Sequence, residues 1–302
     1  MLRLKLKDSF HTYAIITIIF WSLAYVLTRL ALNYFSAFSL GFLRYAFASC
    51  ALIVIALITK MKLPKKTDIK WFLACGFIGF FLYMIAFNKG CKTVTSATSS
   101  VIIATVPVIT SLLARFVYKE KLKVLQWIAI AVEFSGVVVL TLLDSSFSFN
   151  HGLIWLVLAS LLLSTYNLLQ RKLTKNYTGL QASAFSIFFG TIMLAVFLPK
   201  TINDVSTAPP ISILYIAILG IFSSAIAYAA WAQAFKKAEK ASSVSNYMFV
   251  TPFLASLMGF IFAGERVDSP TLIGGGIILF GLFIFNFGDK LINRKNKETA
   301  GQ

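Results

Sequence analysis

The sequence predicts an all-α integral membrane protein: ten transmembrane helices in two inverted five-helix repeats, with both termini cytoplasmic. Composition, the length of the apolar runs and the alternation of basic residues between loops carry this prediction. The chain is 58% hydrophobic and 13% charged, with a mean hydropathy of +0.82, whereas soluble domains carry about 25% charged residues. Too little polar surface exists to face water on all sides, so lipid is the expected solvent. The net charge of +17 does not point to nucleic acid, because the basic residues are not interleaved with aromatics as in a binding groove. Cys50, Cys75 and Cys91 show no CxxC and no metal-like spacing, and read as small hydrophobes. His11 and His151 lie far apart at run edges, so no metal is expected. Within the apolar runs there is no GxGxxG, Walker-type loop, HExxH or acidic cluster. ATP-driven pumping and intramembrane proteolysis therefore lack residues to perform them, and neither a cofactor nor an enzymatic activity is expected.

A hydrocarbon core about 30 Å thick takes roughly 20 apolar residues per helix. Runs of that size lie at 12–31, 37–59, 69–88, 94–116, 124–143, 152–170, 181–199, 211–234, 242–263 and 271–288. The first is long and has no small-x-small cleavage site, so it reads as a span and not a removable signal. The second carries Arg44 and the third Tyr83 and Asn88. The fourth has Pro107 in its middle, preceded by Thr95, Ser96, Thr98, Ser99, Ser100 and Thr105 and followed by Leu, Ile and Val. The fifth holds Glu133 three residues before Gly136 and four after Ala129. The sixth contributes Asn167 and the eighth Tyr228 and Trp231, the ninth is broken at Pro252, and the tenth carries Gly281.

Orientation follows from Lys and Arg, which are retained on the cytoplasmic side. With the N-terminus inside, every cytoplasmic segment is basic: Arg3 to Lys7, Lys60 to Lys70, Arg115 to Lys123, Arg171 to Lys175, Lys236 to Lys240 and Lys290 to Lys297. Outer loops hold only Lys89, Lys92, Lys200 and Arg266, and Arg29 and Arg44 fall within spans.

A displacement of 145 residues superimposes Pro107 on Pro252, Glu120 on Glu265 and Gly136 on Gly281; earlier in each half, 142 pairs Ser22 with Ser164 and Arg29 with Arg171. Five spans per half invert the second copy, giving repeats 1–147 and 148–302. Inverted repeats are a transporter architecture, with the substrate held near the midplane. The segments "FWSLAYVLTRLAL", "LRYAFA", "AFNKGCKTVTSATSSVIIATVPVITSLLARFVYKEKL" and "AFKKAEKASSVSNYMFVTPFLASLMGFIFAGERV" resemble the EamA-type members of the drug/metabolite transporter superfamily. The resemblance spans nearly the whole chain, and implies a carrier of amino acids, other metabolites or drugs. Lys119 departs from it, since the second half has Gly264 at that place.

Candidate substrate contacts are Trp21, Tyr25, Arg44, Tyr83, Asn88, Ser99, Ser100, Asn167, Tyr228, Trp231, Ser245 and Asn246. Aromatics with a few convergent polar groups suit an amphipathic metabolite, although interfacial belts are the better account of rings near span ends. Charges within spans are costly and mark function by default: Arg44 suits a substrate carboxylate or a helix pin, and Glu133 suits ion coupling or a buried pair. The prolines mark helix breaks, with an outer polar half before Pro107 and an inner one before Pro252. Glu120 and Glu265 read as turn and cap residues at the start of the following spans. The expected function is export of an amino acid or related metabolite across the plasma membrane. Efflux of cationic drugs, with Glu133 as the binding charge, and a non-transporting receptor or scaffold are the alternatives. The expected partners are the substrate, the bilayer and H+ or Na+ as coupling ion, with monomer and homodimer both open.

Overall fold

The computed structural model describes residues 10–119, 121–142, 150–237 and 246–300. Among them there is no strand, and the helices follow one another through short turns. They are α1 (Phe10–Ala31), α2 (Ala37–Ile58), α3 (Lys66–Cys91), α4 (Ser96–Val117), α5 (Val124–Leu142), α6 (His151–Leu173) and α7 (Gly179–Thr207). They continue with α8 (Pro210–Ala217, Ile218–Ile226 and Ala227–Lys237), α9 (Thr251–Ala263, preceded by a 3₁₀ turn at Asn246–Val250) and α10 (Ser269–Ala300). Eight of these helices are long and apolar enough to cross a membrane, and Val124–Val139 and Thr251–Ala263 are shorter apolar helices.

Short polar residues start the helices by accepting from orphan amides. The Ser36 hydroxyl accepts from the Ser39 amide at 3.1 Å, Thr95 from Thr98 at 3.2 Å and Asn150 from Gly152 at 2.9 Å. Thr178 and Gln181 form a reciprocal capping box on α7. α7 also runs past its predicted end: a 3₁₀ turn at Ala195–Phe197 leads into Leu198–Thr207, with Pro199 in the first turn, where its missing amide costs nothing. From there Asp204 reaches back to accept from the Ser36 amide at 2.9 Å, capping α2.

Burial fits a lipid-facing exterior around a packed centre. Leu57, Ile58, Phe116 and Phe260 are more than 60% exposed, while Tyr45, Tyr166, Phe72 and Phe80 are fully buried.

Two breaks interrupt the helices where the prolines stand. α4 stops at Ile103 and restarts at Val106, so Pro107 occupies the first turn of the second half; Pro252 holds the same place in α9. The prolines therefore begin half-helices and do not kink continuous ones. Neighbouring serines satisfy the carbonyls beside the breaks: Ser164 donates to the Val106 carbonyl at 3.2 Å, and Ser22 to the Thr251 carbonyl at 3.4 Å.

That pair of bonds belongs to a recurring pattern, since Ser22 and Ser164 differ by 142 positions and Val106 and Thr251 by 145. Close helix approaches recur the same way. A methyl group on Gly76 would meet Phe189 Cβ at 2.8 Å, the Ser186 carbonyl at 2.9 Å and the Gly190 amide at 3.0 Å. On Gly220 it would meet Phe47 Cβ at 2.5 Å, the Arg44 carbonyl at 2.6 Å and the Ala48 amide at 3.1 Å, which are the same three partners displaced by 142. In the extensive α5–α10 seam, Gly136 abuts Ile278 and the Gly274 carbonyl, while Gly281 abuts Glu133 and the Ala129 carbonyl. Here each contact is the other's image under a shift of 145. π-helical turns also occupy corresponding places, at Phe77–Leu82 in α3 and Ile218–Ile226 in α8.

Candidate substrate site

Six of the sequence-predicted contacts converge where α1, α2, α3 and α8 meet. The ring of Trp21 packs against Tyr228 at 5.6 Å and Trp231 at 5.1 Å. Tyr228 also lies 6.2 Å from Phe80, which stacks edge-on with Tyr45 at 5.3 Å and Tyr166 at 5.1 Å. Tyr25 and Tyr83 each sit 5.6 Å from Phe87. Such offset and edge contacts are favourable between aromatic rings.

Arg44 stands beside this aromatic group, 7% exposed. Its Nε donates to the Ser224 hydroxyl at 3.0 Å, and the Ser224 hydroxyl in turn donates to the Leu219 carbonyl, also at 3.0 Å. The Leu219 bond spans five residues, as the π-helical turn of α8 allows. The turn thus leaves the Ser224 oxygen free to accept from the arginine. The charge of Arg44 acts on Tyr25, Tyr45, Tyr83 and Tyr228. Trp21, Tyr83, Tyr228 and Trp231 are half-buried, so the group is not sealed on every side.

The remaining predicted contacts lie elsewhere. Asn88 is fully buried and donates to the Ala37 carbonyl at 2.8 Å, fastening α3 to the start of α2. Ser99 and Ser100 lie in the fully buried first half of α4, where Ser100 donates to the Ala97 carbonyl at 2.7 Å. Asn167 donates to Thr110 at 3.3 Å between α6 and α4. Ser245 lies outside the described residues, and Asn246 opens the 3₁₀ turn before α9. The inner polar half proposed before Pro252 falls largely on residues outside the described set.

Sequence reasoning missed Ser224, Tyr45 and Phe80. Tyr45 follows Arg44 directly, yet an aromatic in an apolar run carries no signal of which neighbour it meets. Ser224 is one of two adjacent serines in an apolar run, and nothing in the sequence says which neighbour it meets.

A family comparison matches this architecture twice: the profile of the EamA-like transporter family aligns with residues 9–142 and again with 150–287. The chain belongs to the EamA-like transporter family. It is therefore a multi-span membrane transporter. It is 30% identical over 280 residues to the uncharacterized transporter YdfC of Bacillus subtilis, covering 92% of this chain and 90% of that one. It is 28% identical over 289 residues to the probable terminal-alkyne amino-acid exporter of Streptantibioticus cattleyicolor, covering 95% and 96%. A solved crystal structure shares the fold with a TM-score of 0.62 at 17% identity, over 91% of this chain and 96% of that one.

In this EamA transporter two further charged places stand out. At the end where α1 and α9 finish and α4 begins, Arg29 Nε pairs with Glu265 at 2.8 Å. The Glu265 carboxylate also accepts from the Ser96 amide at 2.9 Å and hydroxyl at 3.2 Å, and Arg29 donates to the Val94 carbonyl. Glu265 thus caps α4 and not the following helix, as sequence proximity had suggested; carboxylates favour any helix N-terminus within reach. Its counterpart Glu120 lies outside the described residues, and Arg171 stacks over Tyr118 at 4.9 Å.

Glu133 is 2% exposed, and neither carboxylate oxygen has a hydrogen-bond partner among the described residues. The small-residue face expected from Ala129 and Gly136 does bring it to α10, where Gly281 admits its side chain. It forms no ion pair among the described residues. It borders a cleft at the α4 break, with Thr105, Ser160 and Val137 among the lining residues and a volume of about 30 Å³, room for about two waters.

Proposed function

We propose that the chain is a secondary transporter exporting an amino acid or related small metabolite across the plasma membrane by alternating access. Its ten spans form two inverted five-helix repeats, 1–147 and 148–302, with both termini cytoplasmic. The reciprocal contacts support this architecture: a two-fold axis maps each surface onto the other, so residue pairs recur with partners exchanged. The paired family matches over 9–142 and 150–287 and the alternating basic loops agree with it.

One observation carries the functional reading: an aromatic, arginine-bearing site joins helices of both repeats, α1, α2 and α3 from the first and α8 from the second. Transporters built from inverted repeats bind substrate at such a junction. With the N-terminus inside, the Arg29–Glu265–Ser96 cluster is at the outer end, where it closes α1, α4 and α9 together. Rocking of the repeats then opens this end while the other closes. The name of the relative from Streptantibioticus cattleyicolor, an amino-acid exporter, supports the substrate class and direction. A thermal-shift screen of the purified protein against a metabolite panel tests the reading, because a ligand that binds the native state raises its apparent stability. Stabilisation by amino acids is expected; stabilisation only by unrelated classes would sink the substrate assignment.

The unpartnered carboxylate of Glu133 favours a second reading, in which the cleft at the α4 break takes a lipophilic cation and the transporter is a drug exporter. Glu133→Gln would abolish cation efflux in that case and spare amino-acid exchange in ours.

A further inference from the structure

We infer that the central site selects a monocarboxylate with an apolar body, Arg44 being the group that receives the carboxylate. The inference rests on the transporter reading above and adds the charge and shape of the cargo. Arg44 is more than nine-tenths buried, and its one hydrogen bond to a described residue runs from Nε to Ser224. A guanidinium has five N–H donors in a planar fork, so four remain, including the pair that grips a carboxylate in bidentate fashion. No carboxylate pairs with it: the ion pairs among the described residues are Arg29–Glu265 and Lys200–Asp204. Glu133 is committed to the α5–α10 seam. A cation within a bilayer span and without a counter-ion is costly unless a partner arrives, and the cargo is the partner that a carrier admits.

The surroundings narrow the class further. The Tyr45 ring lies 6.0 Å from the Arg44 guanidinium, and among the described residues Arg44 is the one cation whose charge reaches Tyr25, Tyr45, Tyr83 and Tyr228. One cation matches one negative charge, which suits a carboxylate better than a phosphate dianion. Ser224 holds the side chain through Nε and leaves the terminal nitrogens to the ligand. Beyond it, Trp21 and Tyr228 offer apolar ring faces that accommodate a hydrocarbon or aromatic body, and the same faces attract an α-ammonium group.

The test uses the full-length protein in nanodiscs and three probes with one body: phenylalanine, phenylpropionate and phenethylamine. Calorimetric or thermal-shift binding is expected for the two carboxylates and not for the amine. Arg44→Gln is expected to weaken the carboxylates about 10- to 100-fold, the scale of lost charge-assisted bonds. Arg44→Lys, which keeps the charge but not the fork, should fall between. Should Arg44→Gln fail to fold, Ser224→Ala reports instead: it releases Nε and should weaken carboxylate binding several-fold without creating amine binding. Amine binding equal to that of phenylalanine, or carboxylate binding unchanged in Arg44→Gln, overturns the inference while leaving the carrier reading intact. No binding by any probe, together with no flux of any metabolite, overturns both.

Discussion

Neutralising Glu265 should loosen the end of the transporter where α1, α4 and α9 meet, which we propose faces outward, by an amount the geometry sets. Its carboxylate accepts from Arg29 at 2.8 Å and from Ser96 at 2.9 and 3.2 Å, and the two side chains are 33% and 10% exposed for Arg29 and Glu265. A hydrogen bond to a charged group contributes about 1.5–3 kcal/mol net, and the exposure of Arg29 argues for the lower part of that range through solvent screening. A loss of about 1.5–2 kcal/mol shifts a closed–open equilibrium roughly 10- to 30-fold. Cys91 reports it. The thiol is 1% exposed, close enough to feel Arg29 and Glu265. With Cys50 and Cys75 replaced by alanine, its labelling by a membrane-impermeant maleimide from outside follows the population of the open state. Both Glu265→Gln and Arg29→Gln should label about 10- to 30-fold faster than the parent. The double variant should label little faster than either, because one interaction is removed in all three. A field effect on the thiol alone would move the two single variants in opposite directions. Unchanged rates in both, or multiplicative rates in the double variant, would refute the latch.

Four further substitutions have defined outcomes. Lys119 adopts φ +56°, matching Gly264 at φ +62°, and left-handed backbone costs a side-chain-bearing residue about 1–2 kcal/mol. After the entropy of glycine is subtracted, Lys119→Gly should raise stability by roughly 0.5–1 kcal/mol in thermal unfolding; a fall in melting temperature would contradict the strained turn. Gly220→Ala forces a methyl against Phe47 and the Arg44 carbonyl, an overpacking cost of about 1–3 kcal/mol, with transport lost more than expression. Gly276→Ala meets nothing within 4 Å and should be neutral or stabilising by up to about 1 kcal/mol; equal damage at both sites would show that the close approach of α2 and α8 is not the cause. Glu133→Gln should abolish any dependence of exchange on a proton or sodium gradient and keep exchange itself, while a gradient response identical to the parent would remove Glu133 from coupling.

Most helix positions were legible because lipid demands both length and apolarity, although α9 begins at Thr251 and not at 242, and α10 runs to Ala300 and not to 288. The extension of α7 through Leu198–Thr207 was not, since a surface helix with a polar face looks like a loop to a hydropathy reading. Pro107 and Pro252 stood out in the sequence, but not that each would sit in the first turn of a half-helix whose first carbonyl accepts from Ser164 or Ser22; that depends on which helix lies alongside. Trp21, Tyr25, Arg44, Tyr83, Tyr228 and Trp231 were readable as polar or aromatic features in apolar runs, and the fold gathers them. Asn88 had the same appearance and serves the backbone of Ala37. Glu265 was misassigned to the helix next in sequence, because its true partners, Arg29 and Ser96, are more than 160 residues away. In each miss the residue type was informative and its neighbour was not.

The most direct test of the account is exchange flux in proteoliposomes loaded with a hydrophobic amino acid and supplied with the labelled compound outside. The account predicts saturable exchange that is well above that of empty liposomes and, at low substrate concentration, falls about 10- to 100-fold in Arg44→Gln. Flux no greater than in empty liposomes, for amino acids and for every other metabolite tried, would contradict it.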